Sequence, residues 1–163
     1  MKTIFLFRHA KSDWNNPNLS DFERPLNKRG INDLPLMTDR LLKKNTPIEH
    51  LFSSSAARTM ATSKGYASGL KLKSSQVSYH KQLYHASVRD LLHFVNEVND
   101  HLSCIGLVGH NPGLTDFCDY LCDDAVYMPT CSFIKIELDI NGWKEVSASL
   151  GRLIYFEYPK KYV

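Results

Sequence analysis

At 163 residues, with 43% hydrophobic and 23% charged side chains, the chain has the size and balance of one ordinary globular domain, expected to span residues 1–163. A formal charge of +3, with lysines and arginines scattered apart from Lys160-Lys161, lacks the dense basic patch that a nucleic-acid partner requires. No stretch approaches the length of a membrane span, and Met1-Lys2-Thr3 runs into apolar sequence without a signal peptide, so a cytoplasmic protein with no membrane partner is expected.

Residues 2–8 read as a first strand, apolar nearly throughout, as a parallel strand buried on both faces is. Residues 10–30 form a long polar connection holding Trp14, Pro17, Asp21, Arg24, Pro25 and Gly30. Loops of that length are uncommon and tend to be functional. Trp14 either packs this loop down or walls a pocket. Asn27 suits the N-cap of a helix carrying Ile31, Leu34, Met37, Leu41 and Leu42 on one stripe. Pro35 removes a backbone donor and crowds the preceding turn, which predicts a start nearer Asp33, or a kink.

Residues 47–53 give the second strand, and 56–69 a helix with Arg58 in its first turn. A short strand over 75–79 precedes a helix over 87–99, with Val88, Leu91, Leu92 and Val95 facing inward. Residues 104–109 form the fourth parallel strand. Pro112 suits the first position of the next helix, whose buried stripe is Leu114, Phe117, Cys118 and Leu121. From residue 131 the pattern changes. Ile134, Ile136 and Leu138 alternate with Lys135 and Glu137, the pattern of a half-exposed antiparallel edge strand. Asn141-Gly142 signals a hairpin turn, with a returning strand over 143–149 and a further one over 152–158.

The alternation through residue 122 predicts an α/β fold: a mostly parallel central sheet with helices on both faces and an antiparallel C-terminal part. Cys104, Cys118, Cys122 and Cys131 form no CxxC pair and fall in apolar segments, the pattern of free buried thiols. Cys118 and Cys122 lie one helical turn apart beside Asp119, but no histidine stands at a supporting spacing, and no metal site is expected.

Three apolar strand ends carry the chemistry. The first stops at Arg8-His9-Ala10-Lys11-Ser12, the second runs through Ser53-Ser54-Ser55 to Arg58, and the third ends in Gly109-His110-Asn111-Pro112-Gly113. At the C-terminal edge of one sheet, where open α/β sheets bind ligands, they deliver Arg8, His9, Arg58 and His110 to one anion pocket. A guanidinium grips two phosphate oxygens at once, and the helix after Pro112 adds backbone N–H groups and its positive end.

The order Arg-His, Ser-x-x-x-Arg, Gly-His-Asn-Pro-Gly resembles the histidine phosphatase superfamily. Arg24-Pro25-Leu26-Asn27-x-x-Gly30, the short chain and the Arg-His-Ala-Lys-Ser opening resemble its small SixA-type phosphohistidine phosphatase branch. The resemblance covers about residues 2–122 and implies the phosphoglycerate mutase-like fold. In that frame the expected catalytic residues are His9, Arg8, Arg58 and His110. Arg8, Arg58, Asn111 and Ser12 are expected to bind substrate, and neither metal nor cofactor is expected.

His9 is the candidate nucleophile, passing through a phosphohistidine intermediate that water hydrolyses. Neighbouring arginines and a second histidine should lower its pKa and keep it nucleophilic. Many superfamily members supply a Glu or Asp after the third strand as general acid. Here Leu83-Tyr84-His85-Ala86-Ser87 offers no carboxylate before Asp90, and Asp13, Asp21 and His85 are the fallback donors. An alkoxide leaves poorly without a proton, whereas an imidazole is a far weaker base. The expected function is therefore hydrolysis of protein phosphohistidine, with a phosphorylated protein as partner. The alternatives are a small-molecule phosphomonoesterase of the same superfamily and a non-catalytic phosphate-binding module. His50, His80, His85, His93 and His101 fit no pattern and are expected at or near the surface.

Overall fold

The computed structural model describes residues 1–163. Strands β1 (Lys2–Arg8), β2 (His50–Ser54), β3 (Val77–His80), β4 (Cys104–Gly109), β5 (Phe133–Leu138) and β6 (Gly151–Glu157) form one sheet in the order β3-β2-β4-β1-β5-β6. The first four positions are mutually parallel, and β5 and β6 add antiparallel pairs. Ile4, Phe5, Leu6 and Phe7 of β1 are all fully buried. Side chains alternate across a strand, so Ile4 and Leu6 feed one core while Phe5 and Phe7 feed the other.

Four helices cover the two faces. α1 (Lys28–Lys43) and α2 (Ala57–Gly69) pack over Phe5 and Phe7 through Leu34, Met37, Leu41 and Tyr66. α3 (Val88–Asn96) and α4 (Gly113–Cys122) pack over Ile4 and Leu6 through Leu91, Phe94, Val95, Leu114, Phe117, Cys118 and Leu121. The expected mixed α/β sheet with helices on both faces is the fold observed. No helix is long and apolar enough to cross a membrane.

Several details depart from the sequence reading. α1 begins at Lys28, with the Asn27 side chain accepting from Gly30 N–H, and runs through Pro35. Pro35 and Ile31 are both exposed, so the helical bond that Pro35 cannot make lies on the solvent side of α1. Ile31 and Leu42 leave the expected stripe and are exposed. In α3, Phe94 belongs to the buried stripe, whereas Val88 and Leu92 are half-buried. Pro112 stands just before α4 rather than in its first position.

β5 is antiparallel but interior, and the edges are β3 and β6. Its alternation reports a partly covered face instead of an uncovered edge. Lys135 and Glu137 are half-buried on the face that also carries Phe133, and pair with each other at 3.1 Å. Residues 143–149 form no strand. Trp143 instead turns inward in a 3-10 turn, fully buried, its indole N–H donating to Leu102 C=O at 2.8 Å. The 10–30 connection is more ordered than its composition suggests. Ser12 and Leu26 bridge its base, Asp13 N–H donates to Pro25 C=O, and a 3-10 turn spans Asp21–Glu23.

Candidate active site

All three strand ends open on one cavity of about 220 Å³ at the C-terminal edge of the parallel strands. Arg8 closes β1, and His9 follows with its N–H on Gly109 C=O of β4. The His9 carbonyl accepts from Cys131 N–H, so the residue is fastened to neighbours on both sides. Arg58 comes from the first turn of α2. His110 follows the last residue of β4. The structure thus brings Arg8, His9, Ser12, Arg58, His110 and Asn111 to one cavity.

The His9 ring is oriented by two contacts. Nδ1 lies 2.7 Å from Ala10 C=O, an acceptor only, so Nδ1 carries the proton. Nε2 is therefore bare, and it accepts from Arg58 Nε at 3.4 Å. Burial lowers the His9 pKa to about 3, and Arg58 and Arg8 add to the shift against the opposing pull of the Ala10 carbonyl. The sequence reading named the cations; the largest cause is burial.

His110 lies 5.4 Å from His9 between ring centroids. Its Nε2 is 2.8 Å from Ser54 Oγ, which also accepts from Ala56 N–H. His110 Nδ1 is buried without a partner, and in the tautomer that accepts from the Ser54 hydroxyl at Nε2 the ring proton sits on that free Nδ1. Burial, then His9 and Arg58, lower the His110 pKa to about 2. A neutral ring with a spare N–H is a hydrogen-bond donor for an oxyanion.

Arg8 donates from Nη1 to Met128 C=O at 2.9 Å and to Tyr127 Oη at 3.2 Å. Asn111 braces the same segment, its Nδ2 donating to Met128 C=O at 2.8 Å and its Oδ1 accepting from Thr115. Ser12 lines the cavity from the base of the β1–α1 loop.

Asp21, Arg24 and His85 also line the cavity. The Asp21 carboxylate accepts from Arg24, from Arg58 Nη2 at 2.9 Å, from Tyr84 Oη, and from His85 Nε2 at 3.0 Å. Burial alone would raise its pKa, but the hydrogen bonds from Tyr84, His85, Arg58 and Arg24 hold it well below the usual carboxylate range. Arg24 in turn lies over the Trp14 ring at 3.1 Å from its centroid, so Trp14 walls the cavity. Sequence reasoning placed His85 among the unpatterned histidines and named it only as a fallback donor, and it lines the cavity. Tyr84 and Ser54 were not anticipated as site residues; only the run of hydroxyls at the end of β2 hinted at Ser54. No three His, Cys, Asp or Glu side chains converge as a metal site. A larger groove of about 430 Å³ between α1 and α2 is mostly apolar and holds none of these groups.

The family model for the histidine phosphatase superfamily (branch 1) matches residues 4–88, from β1 through the start of α3. The chain belongs to the histidine phosphatase superfamily. It is a phosphatase, and the fold is the phosphoglycerate mutase-like one. SixA from Agrobacterium tumefaciens superposes with a TM-score of 0.83 at 22% identity, covering 97% of this chain and 98% of that one. The protein histidine phosphatase SixA complexed with tungstate gives 0.82 at 20% identity, covering 96% and 97%. An uncharacterized chloroplastic protein of Arabidopsis thaliana is 26% identical over 158 residues, 92% of this chain and 72% of that protein. The superfamily match covers the strand ends that carry Arg8, His9 and Arg58, and His110 reaches them through the sheet.

Proposed function

We propose that this phosphatase removes phosphate from protein phosphohistidine through a covalent intermediate on His9, without a metal. The observation that carries the reading is the His9 ring, with Nδ1–H anchored on the Ala10 carbonyl and Nε2 bare towards Arg58. Nε2 attacks phosphorus in line with the leaving nitrogen, while Arg8, Arg58 and His110 Nδ1–H hold the non-bridging oxygens. Water then displaces His9, which leaves as a neutral imidazole because Nδ1 keeps its proton throughout.

Two features favour a nitrogen over an alkoxide leaving group. An ester must be protonated at its weakly basic bridging oxygen, beside phosphorus, which Asp21, held ionised by its donors, cannot do, whereas a phosphohistidine ring takes its proton on the basic nitrogen remote from phosphorus. The fold is also shared closely with SixA proteins, one of which is described as a protein histidine phosphatase.

The test is to mix the enzyme with a protein carrying ³²P-labelled phosphohistidine, in EDTA, and follow the label. Wild type should release phosphate and pass label through His9, whereas His9→Ala should form no phosphoenzyme. Label held without release would indicate a binding module. Faster turnover of alkyl phosphates than of phosphohistidine would point to a small-molecule phosphomonoesterase. Loss of activity in EDTA that zinc or magnesium restores would overturn the metal-free chemistry.

A further inference from the structure

The proton donor is the part of the reaction that neither carboxylate supplies. Asp21 is locked in its ionised form by four hydrogen bonds. Asp13 lies outside the cavity and accepts from Asn15 N–H at 2.7 Å. His85 remains. Its ring stacks parallel to His110, 5.1 Å between centroids and 6° between planes, with Nε2 against Asp21 Oδ2. Its backbone sits at φ +49°, a left-handed conformation uncommon for a residue with a side chain and worth attention when it occurs at a site. His9, Arg58 and His110 form the buried floor of the cavity, whereas the His85 side chain is half-exposed at its mouth.

We propose that His85, oriented by Asp21, is the acid that protonates the departing ring of a phosphohistidine substrate, at the ring nitrogen remote from phosphorus. The proposal rests on the phosphohistidine reading above. A phosphorylated imidazole with no proton on its far nitrogen departs as imidazolate, a strong base. With that proton in place it departs as neutral imidazole. The donor must therefore reach across the ring from the phosphorus, at the mouth of the pocket and not on its floor. The doubly protonated His85 ring keeps Nε2–H on Asp21 and offers Nδ1–H.

As His9 Nε2 bonds to phosphorus, the substrate P–N bond breaks and its electron pair stays on the substrate nitrogen. The proton passes from His85 Nδ1 to the far ring nitrogen. Neutral His85 then takes a proton from the water that attacks phospho-His9, and phosphate leaves with the enzyme restored. The enzyme's own imidazole meets the same requirement by a fixed device, since the Ala10 carbonyl keeps a proton on its far nitrogen.

Two probes separate this role from a structural one. Phosphohistidine needs the proton, whereas N-phosphopyridinium releases neutral pyridine and needs none. His85→Asn suits the left-handed backbone and can still donate to Asp21, but it has no proton to transfer. The readout is the single-turnover rate of His9 phosphorylation. With phosphohistidine the variant should fall by about 10²-fold or more, the scale of general acid catalysis. With N-phosphopyridinium it should fall far less, which also shows that the site is intact. Equal losses on both probes, or none on either, would overturn the assignment. Should wild type use the pyridinium probe and ignore phosphohistidine, the substrate reading fails and the proposal falls with it. Turnover of both by wild type, with an insensitive variant, removes His85 alone.

Discussion

Arg58 makes contacts on two sides: Nε faces the bare nitrogen of His9, and the Nη atoms hold Asp21 by its carbonyl and its carboxylate. Its side chain is almost fully buried, so its charge acts where water screens little. Arg58→Ala should weaken vanadate binding about tenfold or more, since a hydrogen bond to a charged group contributes about 1.5–3 kcal/mol. Titration calorimetry with vanadate measures this, and equal affinity in wild type and variant would place Arg58 outside the anion site. Arg8, Arg58, His9 and His110 could be read from the sequence because each follows an apolar strand end or opens a helix. Asp21 and His85 could not be read in this way. Both sit in loops, and what joins them is a hydrogen bond across 64 positions of sequence.

Among the elements, the close approach of α4 to the 85–86 loop matters most to the site. A Cβ on Gly113 would collide with the Ala86 carbonyl oxygen, next in sequence to His85. Gly113→Ala should therefore push that loop outward, lowering stability by about 1–3 kcal/mol, as overpacking does, and slowing phosphohistidine turnover. A urea midpoint and a turnover rate both unchanged would show that the loop yields freely. The Gly-His-Asn-Pro-Gly motif thus combines a site histidine with the glycine that lets the facing loop come near. Periodicity located all four helices and most strands, because their buried faces repeat at 3.6 or 2 residues. It misread β5 and residues 143–149, where exposure and turn residues reflect what packs nearby more than what the backbone does. Trp143 is buried by tertiary contacts with Asp100 and Leu102 that no local pattern announces.

The whole molecule bears the cost of holding its site histidines neutral. His9 and His110 have folded pKa values of about 3 and about 2, against 6.5 in an open chain. Below pH ~6.5 the unfolded chain takes up protons that the folded one refuses. Stability is therefore full above that pH and falls as pH drops towards the folded values, by at most about 1.4 kcal/mol per pH unit for each histidine. His50 and His80, lowered mainly by burial, act in the same direction. Urea midpoints should decline from pH 7 to pH 5, and less steeply in His9→Gln/His110→Gln. A flat midpoint in wild type would show that the two rings are not buried as neutral groups.

The position of β1 between β4 and β5 has a consequence in time. Its amides are bonded into the sheet on both sides and shielded by both cores, so hydrogen exchange there waits for global unfolding. His9 follows directly on β1 and is bonded to Gly109 and Cys131 on either side. The nucleophile thus belongs to the slowest part of the molecule and keeps one position for as long as the fold lasts, so substrate can come and go without loosening the sheet that aims the attack.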